Sequence, residues 1–108
     1  MRLVGPPAPA PRHPTLADAL AAAVGHPSGV TFVDLSERET FVPWREVRER
    51  AARAAGALAA RGVAPGDRVA IVLRTEPAFL DAFFGTLLAG AVPVPLYPPV
   101  RLLSLIHI

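Results

Sequence analysis

The chain has 108 residues, 52% of them apolar and 19% charged, which suits one small folded domain or part of a larger one and argues against wholesale disorder. Nine carboxylates face eleven basic residues, and every basic residue is Arg, so the formal charge is +2. Without Lys there is no Schiff base, no Walker-type phosphate lysine and no Lys general base; without Cys there is no disulfide, thiolate nucleophile or Cys-ligated zinc. His13, His26 and His107 are scattered and show no metal-binding spacing. The chain therefore offers no catalytic, cofactor-binding or metal-ligating residue set, and it is expected to catalyse nothing alone.

Residues 1–14, MRLVGPPAPAPRHP, contain five Pro, which favours extended chain and withholds backbone donors. They read as a flexible leader without the continuous apolar stretch of a secretory signal. Together with the lack of Cys, this fits a cytoplasmic location. Order is expected from Thr15, where Thr15 and Asp18 form a T-x-x-D helix start. Leu16, Ala19, Leu20 and Ala23 share one helical face, and Gly25 reads as the stop. Val30–Asp34 is β-branched and aromatic, hence a strand, and a polar turn at Ser36–Glu39 returns the chain into a second strand, Thr40–Val42. That pair predicts a hairpin.

The spacing of Trp44, Val47, Ala51, Ala54 and Leu58 predicts a helix from about Trp44 to Arg61 with one buried stripe. Glu46–Arg50 and Glu49–Arg53 are acid-before-base pairs at i,i+4, and Gly62 supplies a left-handed end. The small residues of the carboxyl half (AARAAGALAA) allow a close neighbour. Ala64-Pro65-Gly66-Asp67 has the chemistry of a type II turn. Val69–Leu73 is an unbroken apolar run, expected to be a strand covered on both faces. Thr75 is placed to cap a helix over Glu76–Ala89, with an apolar face of Phe79, Leu80, Phe83, Phe84, Leu87 and Leu88. Gly90 ends it, and Val92–Leu96 resumes as strand. Strand, helix and strand in this span predict a parallel βαβ unit with a right-handed crossover. Pro93 and Pro95 remove both donors from one flank of the last strand, so its good flank should face Val69–Leu73, with Tyr97-Pro98-Pro99 leaving the sheet.

Several clusters have plain readings. The arginines Arg45, Arg48, Arg50, Arg53 and Arg61 alternate with Glu46 and Glu49 and lack exposed aromatics beside them, which describes a solvated helix face and not a nucleic-acid surface. Glu37 and Glu39 sit in a polar turn, and the glycines are isolated, with no phosphate-binding loop among them. Ser28, Thr31 and Ser36 read as having no nearby His, so nucleophilic catalysis finds no support. Residues 78–96 span nineteen positions with one charge, Asp81. Asp81 would cost up to roughly 2.5–3.5 kcal/mol at a bilayer centre, and Gly90, Pro93 and Pro95 would break a crossing helix, so no membrane span is expected.

Two segments taken together carry a resemblance. A helix beginning W-R-E-V is followed by G-V-A-P-G-D-R-V-A-I-V-L (Gly62–Leu73), a Phe-rich helix, and L-L-A-G-A-V-P-V-P-L-Y-P-P (Leu87–Pro99). This order resembles the start of the AMP-dependent synthetase/ligase family, the adenylate-forming enzymes that activate carboxylic acids, over about Thr15 to Leu102. The ending Leu96-Tyr97-Pro98-Pro99 is most similar to the fatty acyl-AMP ligase branch. The resemblance implies an α/β fold made of a hairpin, an amphipathic helix and one parallel βαβ unit, forming a partial N-terminal subdomain. It also implies a parent ligase using ATP and magnesium to turn a fatty acid into an acyl-adenylate, then passing the acyl group to an acyl carrier protein or coenzyme A thiol. The phosphate loop, nucleotide contacts and catalytic Lys of that family have no counterpart here, so the matching segments are scaffold and no family site residue is carried onto this chain.

The last six residues, Leu103-Ser104-Leu105-Ile106-His107-Ile108, break the Ala/Arg/Pro/Gly composition. LSLIHI also matches the translation of CTG TCT CTT ATA CAC ATC, a transposon end used in library preparation. Residues 103–108 are therefore expected to be adapter-derived, and 15–102 an incomplete portion of an AMP-binding domain. The other class of reading is a complete small binding or membrane-associated α/β protein without catalytic activity. An incomplete domain should leave both sides of Val69–Leu73 and the Phe-rich helix uncovered and prone to aggregate.

Overall fold

A computed structural model describes residues 3–98, so the expectations for residues 99–108, the adapter-derived tail included, lie outside the described residues. Residues 3–14 are exposed and carry no helix or strand. The first helix, α1, spans Leu16–Ala23. The Thr15 hydroxyl accepts the Asp18 backbone N–H at 3.1 Å and donates to the Asp18 carboxylate at 2.8 Å, so the expected cap forms. The stop differs from expectation: Val24 caps the helix in right-handed conformation, and Gly25 is not among the glycines with positive φ. The His26 N–H instead closes the turn on the Ala23 carbonyl at 2.9 Å.

Strands β1 (Gly29–Val33) and β2 (Glu39–Pro43) form the expected antiparallel hairpin, in register from Gly29 opposite Pro43 to Val33 opposite Glu39. β1 ends before Asp34 because that carboxylate organises the turn, accepting N–H bonds from Ser36 at 2.8 Å and Arg38 at 2.9 Å. At the other end the two backbones meet closely. A Cβ on Gly29 would run into the Val42 carbonyl and lie 2.7 Å from Pro43 Cα, so only glycine fits.

Helix α2 spans Trp44–Ala60 and seats Val47 and Ala51 fully in the core, while Trp44, Ala54 and Leu58 of the same stripe are half-buried. Its end is a Schellman closure: Gly62 at φ 93° donates to Ala59 O at 3.0 Å, and Val63 N–H reaches back to Leu58 O at 3.1 Å. The type II turn follows, with Gly66 at φ 87° and the Asp67 N–H on Ala64 O at 3.0 Å.

β3 (Arg68–Ile71), α3 (Pro77–Leu88) and β4 (Val92–Pro95) make the βαβ unit, with β3 and β4 parallel and Arg68 opposite Val92. The Val92 N–H bonds Asp67 O at 2.7 Å and the Leu96 N–H bonds Ile71 O at 2.8 Å. Alternation along the strand puts Pro93 and Pro95 on the flank away from β3, as their missing donors require. Both strands are shorter than expected, since the last rung is the Leu96–Ile71 bond and the chain then leaves the ladder.

Helix α3 corrects two expectations. Thr75 does not cap it: Glu76, at φ −149° and ψ 166°, occupies the cap position and Pro77 the first turn. A residue before Pro is driven out of the helical region, so the start moves past Glu76. The fully buried residues are Gly85 and Thr86, whereas the six apolar residues of the expected face are all half-buried. Gly85 packs on the small half of α2, where an added Cβ would lie 2.6 Å from Ala54 Cβ and 3.1 Å from Ala51 O. Helices approach this closely only where neither has a side chain in the way.

The core joins Leu20, Val42, Val47 and Ala51, with Phe32, Trp44, Phe84 and Leu88 packed around them. β3 is not covered on both faces. Ile71 is buried and Val69 half-buried, but Ala70 is exposed and Val72 is 51% exposed. No helix of the described residues is long and apolar enough to cross a membrane.

Candidate functional site

The two motif segments converge on one structure. The turn at 64–67 is tied to the loop before β4 by the Gly66 N–H on Gly90 O at 2.8 Å, and Asp67 Oδ2 braces the turn by accepting the Ala64 N–H at 2.8 Å. Gly90 takes φ 76° and repeats the Schellman closure at the end of α3, with the Ala91 N–H on Thr86 O at 3.0 Å. Asp67, the one acidic residue of the first motif, thus holds backbone.

The arginine-bearing helix contains one organised charge centre, and it joins helices. Arg50 Nε donates to both Asp81 oxygens at 3.0 and 3.1 Å, and its Nη2 reaches Asp81 Oδ2 at 2.9 Å. Glu46 sits at 3.8 Å from the other guanidinium nitrogen. The Asp81 hydrogen bond, aided by the charges of Asp81 and Glu46 and opposed by burial, holds the Arg50 guanidinium above its ordinary value. Asp81 is therefore a partner of α2 across the α2–α3 joint. The expected Glu49–Arg53 pair is absent from the ion pairs of the described residues, both of which involve Arg50.

A correction concerns Ser28, which does have a histidine beside it. Ser28 Oγ lies 2.8 Å from His26 Nδ1 and accepts the Trp44 indole N–H at 3.2 Å. The pair was legible as H-P-S, two residues apart. His26 and Ser28 are exposed in the α1–β1 connection, Trp44 is half-buried at the start of α2, and no carboxylate forms an ion pair with His26 among the described residues. The serine lacks the orienting acid that a nucleophilic arrangement requires. Thr31 and Ser36 are exposed positions of the hairpin, and Ser36 bonds Asp34.

A concavity of about 530 Å³ lies between the carboxyl half of α2, β3 and the start of α3. Its walls are predominantly apolar, with Ala57, Leu58, Ile71 and Leu73 among them and Asp81 at one side. Such a lining buries mainly hydrocarbon, and Arg61 is its one cationic group. Among the described residues no three His, Cys, Asp or Glu side chains gather to hold a metal ion. Among the described residues, the lining of this groove does not form a magnesium site.

Comparison with known proteins places this scaffold. The family model for the AMP-binding enzyme matches residues 20–108. The acetate/butyrate–CoA ligase AAE7 of Arabidopsis thaliana is 41% identical over 71 residues, 66% of this chain and 12% of that protein. The salicyl-AMP ligase / salicyl-S-ArCP synthetase of Mycobacterium tuberculosis is 38% identical over 88 residues, 80% of this chain and 16% of that protein. The fatty acyl-adenylate ligase from L. pneumophila, solved with acyl adenylate and pyrophosphate, superposes with a TM-score of 0.76 at 31% identity, covering 83% of this chain and 16% of that one. The chain spans less than a fifth of the length of each of these proteins. From its motifs, its βαβ unit and these matches, the chain belongs to the AMP-binding, adenylate-forming ligase family.

Proposed function

We propose that this chain is the amino-terminal portion of a cytoplasmic ligase that activates a fatty acid as its acyl-adenylate. The carboxylate would attack the ATP α-phosphorus, forming the acyl–phosphate bond and expelling pyrophosphate, with magnesium neutralising charge on the phosphate oxygens. The acyl group would then pass to a thiol on a carrier protein or on coenzyme A. The observation that carries the fatty-acid reading is the superposition of 83% of this chain on a fatty acyl-adenylate ligase. The ATP- and magnesium-binding groups belong to chain beyond these residues, and the 108-residue chain is inactive by itself.

The test starts from contiguous genomic DNA. An open frame continuing past Leu102 into a Ser/Thr/Gly-rich phosphate loop is expected. The extended protein should show fatty-acid-dependent exchange of labelled pyrophosphate into ATP. A genomic stop directly after Ile108, or an extended protein that exchanges with amino acids and not with fatty acids, would overturn the proposal. Acyl transfer to carrier protein against coenzyme A then identifies the acceptor.

A further inference from the structure

We infer that the open edge of β3 is a slot for one added β-strand, an extended apolar segment supplied by the ligase chain that lies beyond these residues. The inference rests on the reading of this chain as part of a longer ligase. Among the described residues β3 pairs with β4 alone. The ladder shows which backbone groups that pairing uses. The Val92 N–H bonds Asp67 O and the Leu96 N–H bonds Ile71 O. The N–H and C=O of one strand residue point to the same side, and the side alternates along the chain. Asp67, Val69 and Ile71 therefore face β4, while Arg68, Ala70 and Val72 turn their donors and acceptors outward. On the far flank of β4, Pro93 and Pro95 have no donors to give, so this sheet can take a full new ladder only at β3.

The apolar groove lies along that edge. Every residue from Val69 to Leu73 lines it, with Ala54, Ala57 and Leu58 of α2 as another wall. Successive strand side chains point to opposite faces, so a cavity touching five residues in a row runs beside the strand and not over one face. The small residues of α2 leave room for side chains beneath the helix. The mainly apolar lining suits Val, Ile or Leu at the alternate positions of an added strand that turn toward α2. Backbone bonds to the outward row supply the pairing, and those side chains fill the groove, which is how an extended segment augments a sheet.

The occupant follows from what lies outside. This chain covers 16% of the fatty acyl-adenylate ligase it superposes on, so the parent protein has ample chain to provide a strand. A second copy fits less well. Two β3 edges pairing antiparallel are related by a two-fold axis normal to the sheet, which puts both α2 helices on the same face at one seam. Each α2 then claims the space that the other copy's helices need.

Ala70→Pro tests the slot, because it removes an outward donor and leaves the bonds to β4 in place. In the 108-residue chain this variant should keep the parent melting temperature, whereas in the ligase extended by its genomic frame it should lower it. Ile71→Pro removes a donor that serves β4 and should destabilise both. Amide-resolved hydrogen exchange gives a second reading. The Ala70 and Val72 amides should exchange at near-intrinsic rates in the 108-residue chain and at least about 100-fold more slowly in the extended ligase, with Ile71 protected in both. Fast exchange at Ala70 in the extended ligase, or equal tolerance of Ala70→Pro by the two chains, overturns the slot. A dimer of the 108-residue chain that Ala70→Pro dissolves assigns the edge to a second copy and overturns it too. Fatty-acid-dependent pyrophosphate exchange by the same extended protein reports separately on the ligase reading: activity with an unprotected β3 edge refutes the slot alone, and a protected edge without that activity refutes the substrate reading alone.

Discussion

The two halves of this molecule bury their apolar residues to different degrees. The half built from α1, the β1–β2 hairpin and the start of α2 holds Leu20, Val42, Val47 and Ala51 at 4% exposure or less, with Phe84 and Leu88 of α3 packed against them. The βαβ half is closed only where it meets α2. Val92 of β4 is 47% exposed and Val72, just past the end of β3, is 51% exposed and lines the 530 Å³ groove. The first half holds the main buried core, whereas the second carries the open apolar groove; both leave apolar side chains on the surface, Leu16, Val33, Leu35 and Phe41 on the first and Val72 and Val92 on the second, as suits elements that lie inside a larger body. The difference agrees with a chain that spans 16% of a fatty acyl-adenylate ligase.

Substitutions at the joints should separate these halves. The largest effect is expected at Gly85, which has no room for a side chain against Ala54 and Ala51. Gly85→Leu should destabilise by about 3 kcal/mol, the upper range for overpacking, and dissolve the α2–α3 contact while leaving the hairpin. Thermal unfolding followed by circular dichroism measures the loss, and a melting temperature unchanged from the parent would contradict the close approach. Next comes Gly29→Val, which drives a side chain into the Val42 carbonyl. A loss of about 2 kcal/mol is expected from strain of that kind, read as loss of amide protection along β1 and β2.

The Arg50–Asp81 bond is smaller. Both side chains are about a quarter to a third exposed, at 30% and 26%, so solvent weakens the pair. A double-mutant cycle with Arg50→Ala and Asp81→Ala should give a coupling energy of roughly 1 kcal/mol. A coupling within error of zero would mean that the pair is incidental. The smallest effect on stability is at Val72. Val72→Thr keeps the β-branched shape and adds a hydroxyl to a surface already wet, so the melting point should hold while aggregation at a given concentration falls. A clear drop in melting temperature would show that Val72 is core in this chain, and the contrast between the halves would fail.

The contrast was partly legible in the sequence. The hairpin, α2, the type II turn and the one-sided pairing of β4 followed from local chemistry: alternation, helical spacing, Pro-Gly, and two prolines on one flank. What escaped was set by chain segments distant in sequence or by a neighbouring residue overriding a motif. Arg50 had an obvious partner four residues away in Glu46, yet its main bond is to Asp81, 31 residues on. Thr75 resembled a cap, but Pro77 forbade the helix from starting where that cap could act. The phenylalanines of α3 drew the eye toward a wide apolar face, while the tightest contact runs through Gly85, whose value lies in having no side chain. His26 and Ser28 were adjacent enough to be seen as a pair, and reading them as separate loop residues concealed the junction with Trp44.

The central claim is that this chain is scaffold and that nucleotide chemistry lies elsewhere in a longer ligase. Titrating ATP with magnesium into the 108-residue chain by isothermal calorimetry tests it most directly. No saturable heat is expected, because the groove is mainly apolar with Arg61 its single cation, and among the described residues no cluster of carboxylates or histidines gathers to hold magnesium. Saturable one-site binding, abolished by excess AMP, would place a nucleotide site within these residues and contradict the account.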